Sequence, residues 1–234
     1  MDNFNPSVSM LAALDHPVWS ALGSGHQALA LGDGLARRYP RDIGPFAALA
    51  DASPAAWAAL GRLLAAGEAA MLVTAAQVKA QPGFTVTPLD PVWQMVATRD
   101  PGPPAATFTV LGEADAAGMH ALATLTNPGP FGPRTHQLGE FLGVRDGGRL
   151  AAMTGERMRL EGMVEVSAVC VHPDHRGKAY ARGLMVDKMR RIIDRGSIPF
   201  LHVYPSNHSA VALYESLGFV VRRQLHLARV AVTG

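Results

Sequence analysis

One stretch limits what this chain can fold into more than any other. Residues 164–171 (VEVSAVCV) predict a buried strand, residues 180–195 predict the strongest helix, and only eight residues join the two. In that helix Ala181, Leu184, Met185, Met189, Ile192 and Ile193 fall on one face. Arg190, Arg191 and Arg195 sit near its C-terminus, where the helix dipole favours cations, and Gly196 stops it. The connection and the helix start read HPDHRGKAYA (172–181). The first backbone N–H groups of a helix have no partners inside it and point outward, so this turn is built to hold an anion. Small residues at Gly177, Ala179 and Ala181 let a diphosphate approach the backbone, and Arg176 and Lys178 add positive charge. The spacing matches neither the G-x-x-x-x-G-K-[ST] phosphate loop nor the G-x-G-x-x-G dinucleotide fingerprint.

Around this unit the second half alternates regularly. Strands are expected at 107–111, 141–145, 149–157, 200–204 and 219–230, and helices at 115–125 and 208–217. Asp146-Gly147-Gly148 signals a hairpin, and three prolines keep 127–133 (NPGPFGP) irregular. The first half is Ala-rich and says less. Ser53 and Pro54 open a helix over 54–66, with Trp57, Leu60, Leu63 and Leu64 on one face. Strands follow at 68–74 and at 84–87, the latter stopped by Pro88. The turn-rich run 99–104 (RDPGPP) predicts a linker, which divides the chain into 1–105 and 106–234.

Two segments now carry a resemblance. Residues 169–181 (VCVHPDHRGKAYA) and 207–219 (NHSAVALYESLGF) resemble the pyrophosphate loop, Q/R-x-x-G-x-G/A, and the N-x-x-A-x-x-L-Y-x-x-x-G-F segment of the GNAT superfamily of acyl-CoA-dependent N-acetyltransferases. They occur in that family's order, with a helix and a strand between them. The resemblance covers 106–234 and says little about 1–105. It implies an α/β fold of α+β type: a mixed, mostly antiparallel sheet with helices on both faces, splayed where acetyl-CoA enters, between the strands ending near Val171 and Tyr204. A smaller N-terminal α/β domain, a degenerate half of the same kind, would precede it.

The same resemblance implies roles. Arg176, Gly177, Lys178, Ala179, Tyr180 and Ala181 would hold the CoA pyrophosphate. Val169, Cys170 and Val171 would run beside the pantetheine, with a strand-edge N–H near the thioester oxygen. Asn207 would bond the pantetheine arm, and Tyr214 would protonate the departing thiolate. The reaction implied is direct acetyl transfer from acetyl-CoA to a primary amine of a small molecule or peptide. The alternatives are a non-catalytic acetyl-CoA-binding sensor and a protein-interaction module.

The chain departs from the pattern twice. Ala179 stands where the family usually has Gly, so its Cβ crowds the phosphate or resists positive φ, and weakened CoA binding is expected. His202 stands five residues before the Asn, where a subgroup resembling the ribosomal-protein acetyltransferases has a catalytic Glu. A histidine is a competent base near neutral pH. Glu165, through water, is the competing base.

Each residue also has a plainer reading. The 176–181 turn is then an ordinary connection, and Tyr214 packs on Leu217. His202 is a satisfied sheet histidine, and Glu165 a solvated strand end. Cys170 is a small core residue with no base to activate it. Arg222 and Arg223 form a solvated edge or touch the CoA 3′-phosphate, and 127–133 is either a connector or an acceptor wall. His172 and His175 lack the partners of a metal site, so no metal is expected. The net charge of +2 argues against nucleic acid. No apolar run reaches membrane length and no leader is evident. With one cysteine there is no internal disulfide, which predicts a cytoplasmic protein. Only Lys79, Lys178 and Lys188 are lysines among 21 basic residues, a bias that suggests a bacterial GC-rich genome. A homodimer is left open.

Overall fold

The computed structural model describes residues 4–233. Ser7 accepts from the Met10 N–H and starts α1 (Val8–Ala13), and Pro17 opens α2 (Pro17–Gly23). A small antiparallel sheet follows in the order β1 (Leu31–Gly32), β2 (Ala36–Arg38), β3 (Ala47–Leu49). The expected first-half helix is α3 (Pro54–Leu63), with the Ser53 hydroxyl accepting from the Ala56 N–H. The remaining strands are β4 (Ala69–Thr74), β5 (Phe84–Ala97), β6 (Thr109–Leu111), β7 (Phe141–Asp146), β8 (Arg149–Leu160), β9 (Met163–Val171), β10 (Ile198–Val203) and β11 (Phe219–Val232). Helices α4 (Ala116–Thr126), α5 (Tyr180–Asp194) and α6 (His208–Ser216) complete the chain.

All eight of these strands form one sheet, ordered β4-β11-β5-β10-β9-β8-β7-β6. Its pairs are antiparallel except β9 with β10. The boundary expected near residue 105 falls between β5 and β6, which both belong to this sheet. The division into 1–105 and 106–234 therefore does not separate two sheets. Val92, Met95, Val96 and Ala97 are buried on β5, and that burial needs neighbours on both sides, which β10 and β11 supply. Nor does Pro88 stop the strand. Up to Val92, β5 pairs with β11 alone, and a proline is tolerated where a strand has one open edge.

Helices cover both faces. Met185, Met189 and Ile192 of α5 pack with Val164 and Val166 of β9 and Leu201 and Val203 of β10. On the opposite face Met119, Leu122 and Ala123 of α4 pack with Met153, Ala168 and Cys170. Two pairs on β9 thus face opposite ways despite equal parity. Ala168 has φ +52°, and Thr154 of β8 faces both Ala168 and Val169. This β-bulge resets the alternation, turning Ala168 and Cys170 toward α4 and Val169 and Val171 toward α5.

Candidate active site

The sheet opens in its middle. Pairing of β9 with β10 covers only Met163–Glu165 on one strand and Ile198–Phe200 on the other. Beyond these residues the strands part, and the edge of β9 from 166 onward is left without its neighbour. The splay lies where the sequence predicts it, between the strands ending near Val171 and Tyr204.

On one side of the splay is a cleft of about 600 Å³. Residues 169–171 and all six residues of the 176–181 turn line it. Gly177 has φ +78°, and a Cβ built there meets nothing within 4 Å, so the backbone faces open space. The first helical bond of α5 is Gly183 N–H to the Ala179 carbonyl, which leaves the Tyr180, Ala181 and Arg182 N–H groups at the cleft without helix partners. Such donors with an open, small-residue backbone suit a diphosphate. Ala179 adopts the left-handed conformation a glycine would take, at φ +57° and ψ 16°. An L-residue held there costs about 1–2 kcal/mol. This strain is present without any ligand, so Ala179→Gly is expected to act on the fold, raising the melting temperature by up to about 4 °C after the extra chain entropy of glycine is offset. An unchanged or lower melting temperature in calorimetry would remove the strain argument. The His172 ring accepts from the Asp174 N–H, and His175 Nε2 lies 3.0 Å from Asp146.

On the other side is a smaller cavity of about 140 Å³. Pro128, Gly129 and Pro130 of the irregular loop form one wall. Val169, Asn207 and Pro128 line both cavities, which therefore meet at the bulged strand. Asn207 caps α6: its Oδ1 accepts from the Ala210 N–H and the Ser209 hydroxyl, each at 3.2 Å. Its amide nitrogen has no partner among the described residues. Tyr214 is buried in the same wall, with its ring edge-on to Phe219 at 6.1 Å. Its hydroxyl also has no partner among the described residues. Burial pushes this phenol up to about 12, with a smaller contribution from Cys170. Burial likewise pushes the Cys170 thiol up to about 11. Each therefore keeps its proton at neutral pH.

Glu165 and His202 are brought together beneath the cavity. His202 Nδ1 lies 2.7 Å from Glu165 Oε1. Arg157 clasps the same carboxylate through Nε, at 2.9 Å, and Nη2. Burial alone would push Glu165 up, but Arg157 and His202 outweigh it and hold the carboxyl at about 2. Glu165 is fully buried, not a solvated strand end.

A partner that sequence reading does not single out completes the group. Gln94 of β5, fully buried, has its Nε2 3.1 Å from His202 Nε2 and donates to the Leu14 carbonyl at 2.9 Å. Its Oε1 accepts from Arg222 Nη1 at 2.8 Å. These bonds fix the amide orientation, and the orientation fixes the imidazole: the Nδ1–H donates to ionised Glu165, and Nε2 accepts from Gln94. Arg222 and Arg223 also make ion pairs on this side of the sheet. Both pair with Asp15, and Arg222 also holds the Leu11 carbonyl. Arg157 carries no signal in the sequence, where it closes the strand expected over 149–157; β8 runs on to Leu160, and the Glu161-Gly162 turn brings Arg157 beside Glu165.

Residues 141–228 match the family model described as FR47-like protein. A crystal structure from Novosphingobium aromaticivorans, assigned to the acetyltransferases of the GNAT family, is 40% identical to this chain. The match covers 94% of this chain and 99% of that one, with a TM-score of 0.85. A GCN5-related N-acetyltransferase from Kribbella flavida is 19% identical over 92% of this chain and 96% of its own, with a TM-score of 0.56. A GNAT-family acetyltransferase from Colwellia psychrerythraea is 13% identical over 91% and 97%, with a TM-score of 0.52. The last two share the fold. No curated protein matches the sequence.

Proposed function

This chain belongs to the GNAT family of acetyltransferases, and from that premise we propose that it moves an acetyl group from acetyl-CoA directly to a primary amine of a small molecule or peptide. The observation that carries this reading is the meeting of the two cavities at the splayed edge of β9, where Pro128, Val169 and Asn207 line both, with Tyr214 in the wall of the smaller one.

The chain's residues divide the work. Gly177, Lys178, Ala179 and the N–H groups opening α5 bind the pyrophosphate, and Arg176 adds charge. The edge of 169–171 runs beside the pantetheine, and a backbone N–H there stabilises the oxygen on which charge builds. The Asn207 amide nitrogen donates to the pantetheine arm. In the transfer an N–C bond forms to the acetyl carbon and its C–S bond breaks. Tyr214 gives its proton to the sulfur and His202 takes one from the amine. His202 is preferred to Glu165 because it lines the cavity and its Nε2 accepts a single bond, from Gln94, whereas Glu165 is held at about 2 and its two oxygens carry three bonds. Uptake at Nε2 releases the Gln94 bond, worth about 1 kcal/mol. The imidazolium keeps its bond to Glu165, as in other carboxylate–histidine pairs.

The test is release of CoA thiol from acetyl-CoA by the purified protein against a panel of amines and N-terminal peptides. Amine-dependent release supports the transferase. Binding of acetyl-CoA without release from any amine would replace it with the sensor reading.

A further inference from the structure

The guanidinium of Arg157 has two edges, and only one is used. Nε and Nη2 grip Glu165, while Nη1 has no partner among the described residues. The group lies over the Phe46 ring, with Cζ 5.2 Å from its centroid. Nη1 faces the 127–133 loop: a Cβ built on Gly129 would stand 3.8 Å from it, so that glycine leaves the edge clear. Arg157 lines the smaller cavity, and its side chain is 13% exposed. A guanidinium edge with free N–H groups in a largely buried place is suited to a planar two-oxygen acceptor.

Resting on the transferase reading above, we infer that Arg157 binds a carboxylate of the acceptor, and that the acceptor is a free α-amino acid with a small or medium apolar side chain. Charge balance selects this class. Among the described residues no Asp or Glu lines the cavity, and Glu165 beneath it is fully engaged. A second ammonium group, as on a polyamine or an aminoglycoside, finds no counter-charge there. A zwitterion adds no net charge to a cavity whose Arg157 and Glu165 already cancel. Its carboxylate takes the Nη1 edge and its amine stays free to reach the bulged strand. Size agrees, because a cavity near 150 Å³ takes about a benzene-sized group and this one measures about 140 Å³. Its apolar walls, Phe46, Met71, Val73, Val92 and Leu227, suit an apolar side chain. A peptide N-terminus carries no carboxylate beside its amine and leaves the Arg157 edge unfilled.

The test compares glycine, L-alanine and L-methionine with their primary amides in acetyl transfer. Calorimetry of N-acetyl-L-methionine and its amide, with CoA present, runs alongside. The acids are expected to exceed the amides at least thirtyfold in kcat/KM, carried mainly by KM. The acid product is expected to bind at least tenfold more tightly than its amide. Arg157→Lys, which keeps a cation for Glu165 but loses the fork, is expected to bring the acid-to-amide ratio toward one. Turnover of amines without acid preference overturns the inference and leaves the transferase standing. Preferred binding of the acid product without turnover overturns the transferase and leaves the carboxylate site standing. Absence of binding and turnover for every probe overturns both.

Discussion

Tyr214→Phe is expected to lower kcat by about one to three decades while leaving acetyl-CoA affinity nearly unchanged. The substitution removes one oxygen and keeps the ring, so the packing on Phe219 is retained. Because the hydroxyl has no protein partner among the described residues, its loss orphans no buried group. The proton balance also fits. Burial pushes the phenol up to about 12. A thiolate released beside it is desolvated too, which raises its proton affinity and favours transfer from the phenol. Thiol release and calorimetry of acetyl-CoA, run on the same preparations, read kcat and affinity separately. Equal turnover would remove Tyr214 from the mechanism. A large loss of affinity would make it a binding residue instead.

Glu165→Gln is expected to destabilise the fold by about 3–5 kcal/mol, because it leaves the largely buried Arg157 guanidinium without its counter-charge. For a chain of this size that corresponds to a melting temperature lower by roughly 6–20 °C. Replacing both partners, Glu165→Gln with Arg157→Met, is expected to recover part of the loss, since no charge is then stranded. The same pair sets a pH dependence. Glu165 is held at about 2 in the fold, against 4.5 for a free glutamate side chain. Its contribution to stability is therefore complete above about pH 4.5 and is lost as pH falls toward 2. Urea midpoints between pH 7 and pH 3 should fall more steeply for the wild type than for Glu165→Gln. Parallel slopes, or an unchanged melting temperature, would show that the ion pair does not support the fold.

Much of the second half was legible from local signals. Asp146-Gly147-Gly148 joins β7 to β8, Gly196 follows α5 and Gly218 follows α6, each at the expected place. The diphosphate turn was legible for the same reason, since strand, small-residue turn and helix are contiguous. The first half was poorly legible. The three short strands β1–β3 carry no repeated pattern, and the role of β5 depends on β10 and β11, more than 90 residues away. The Ala168 bulge also left no mark, because an alanine gives no sign of a positive φ.

The sequence by itself determined the elements around the diphosphate turn, the residues that face it and the order of the two family segments. These follow from periodicity, caps and turns, which act within a few residues. The tertiary structure alone decided the electrostatics of the smaller cavity. Glu165 and His202 could be named from the sequence, but the engagement of both carboxylate oxygens could not. Nor could the fixed tautomer of His202 or the free edge of Arg157. Those properties arise where Gln94 of β5, Arg157 of β8, Glu165 of β9, His202 of β10 and Arg222 of β11 meet. Hydrogen-bond directions and burial exist only once those five strands lie side by side, and in a low-dielectric interior they decide which groups hold protons.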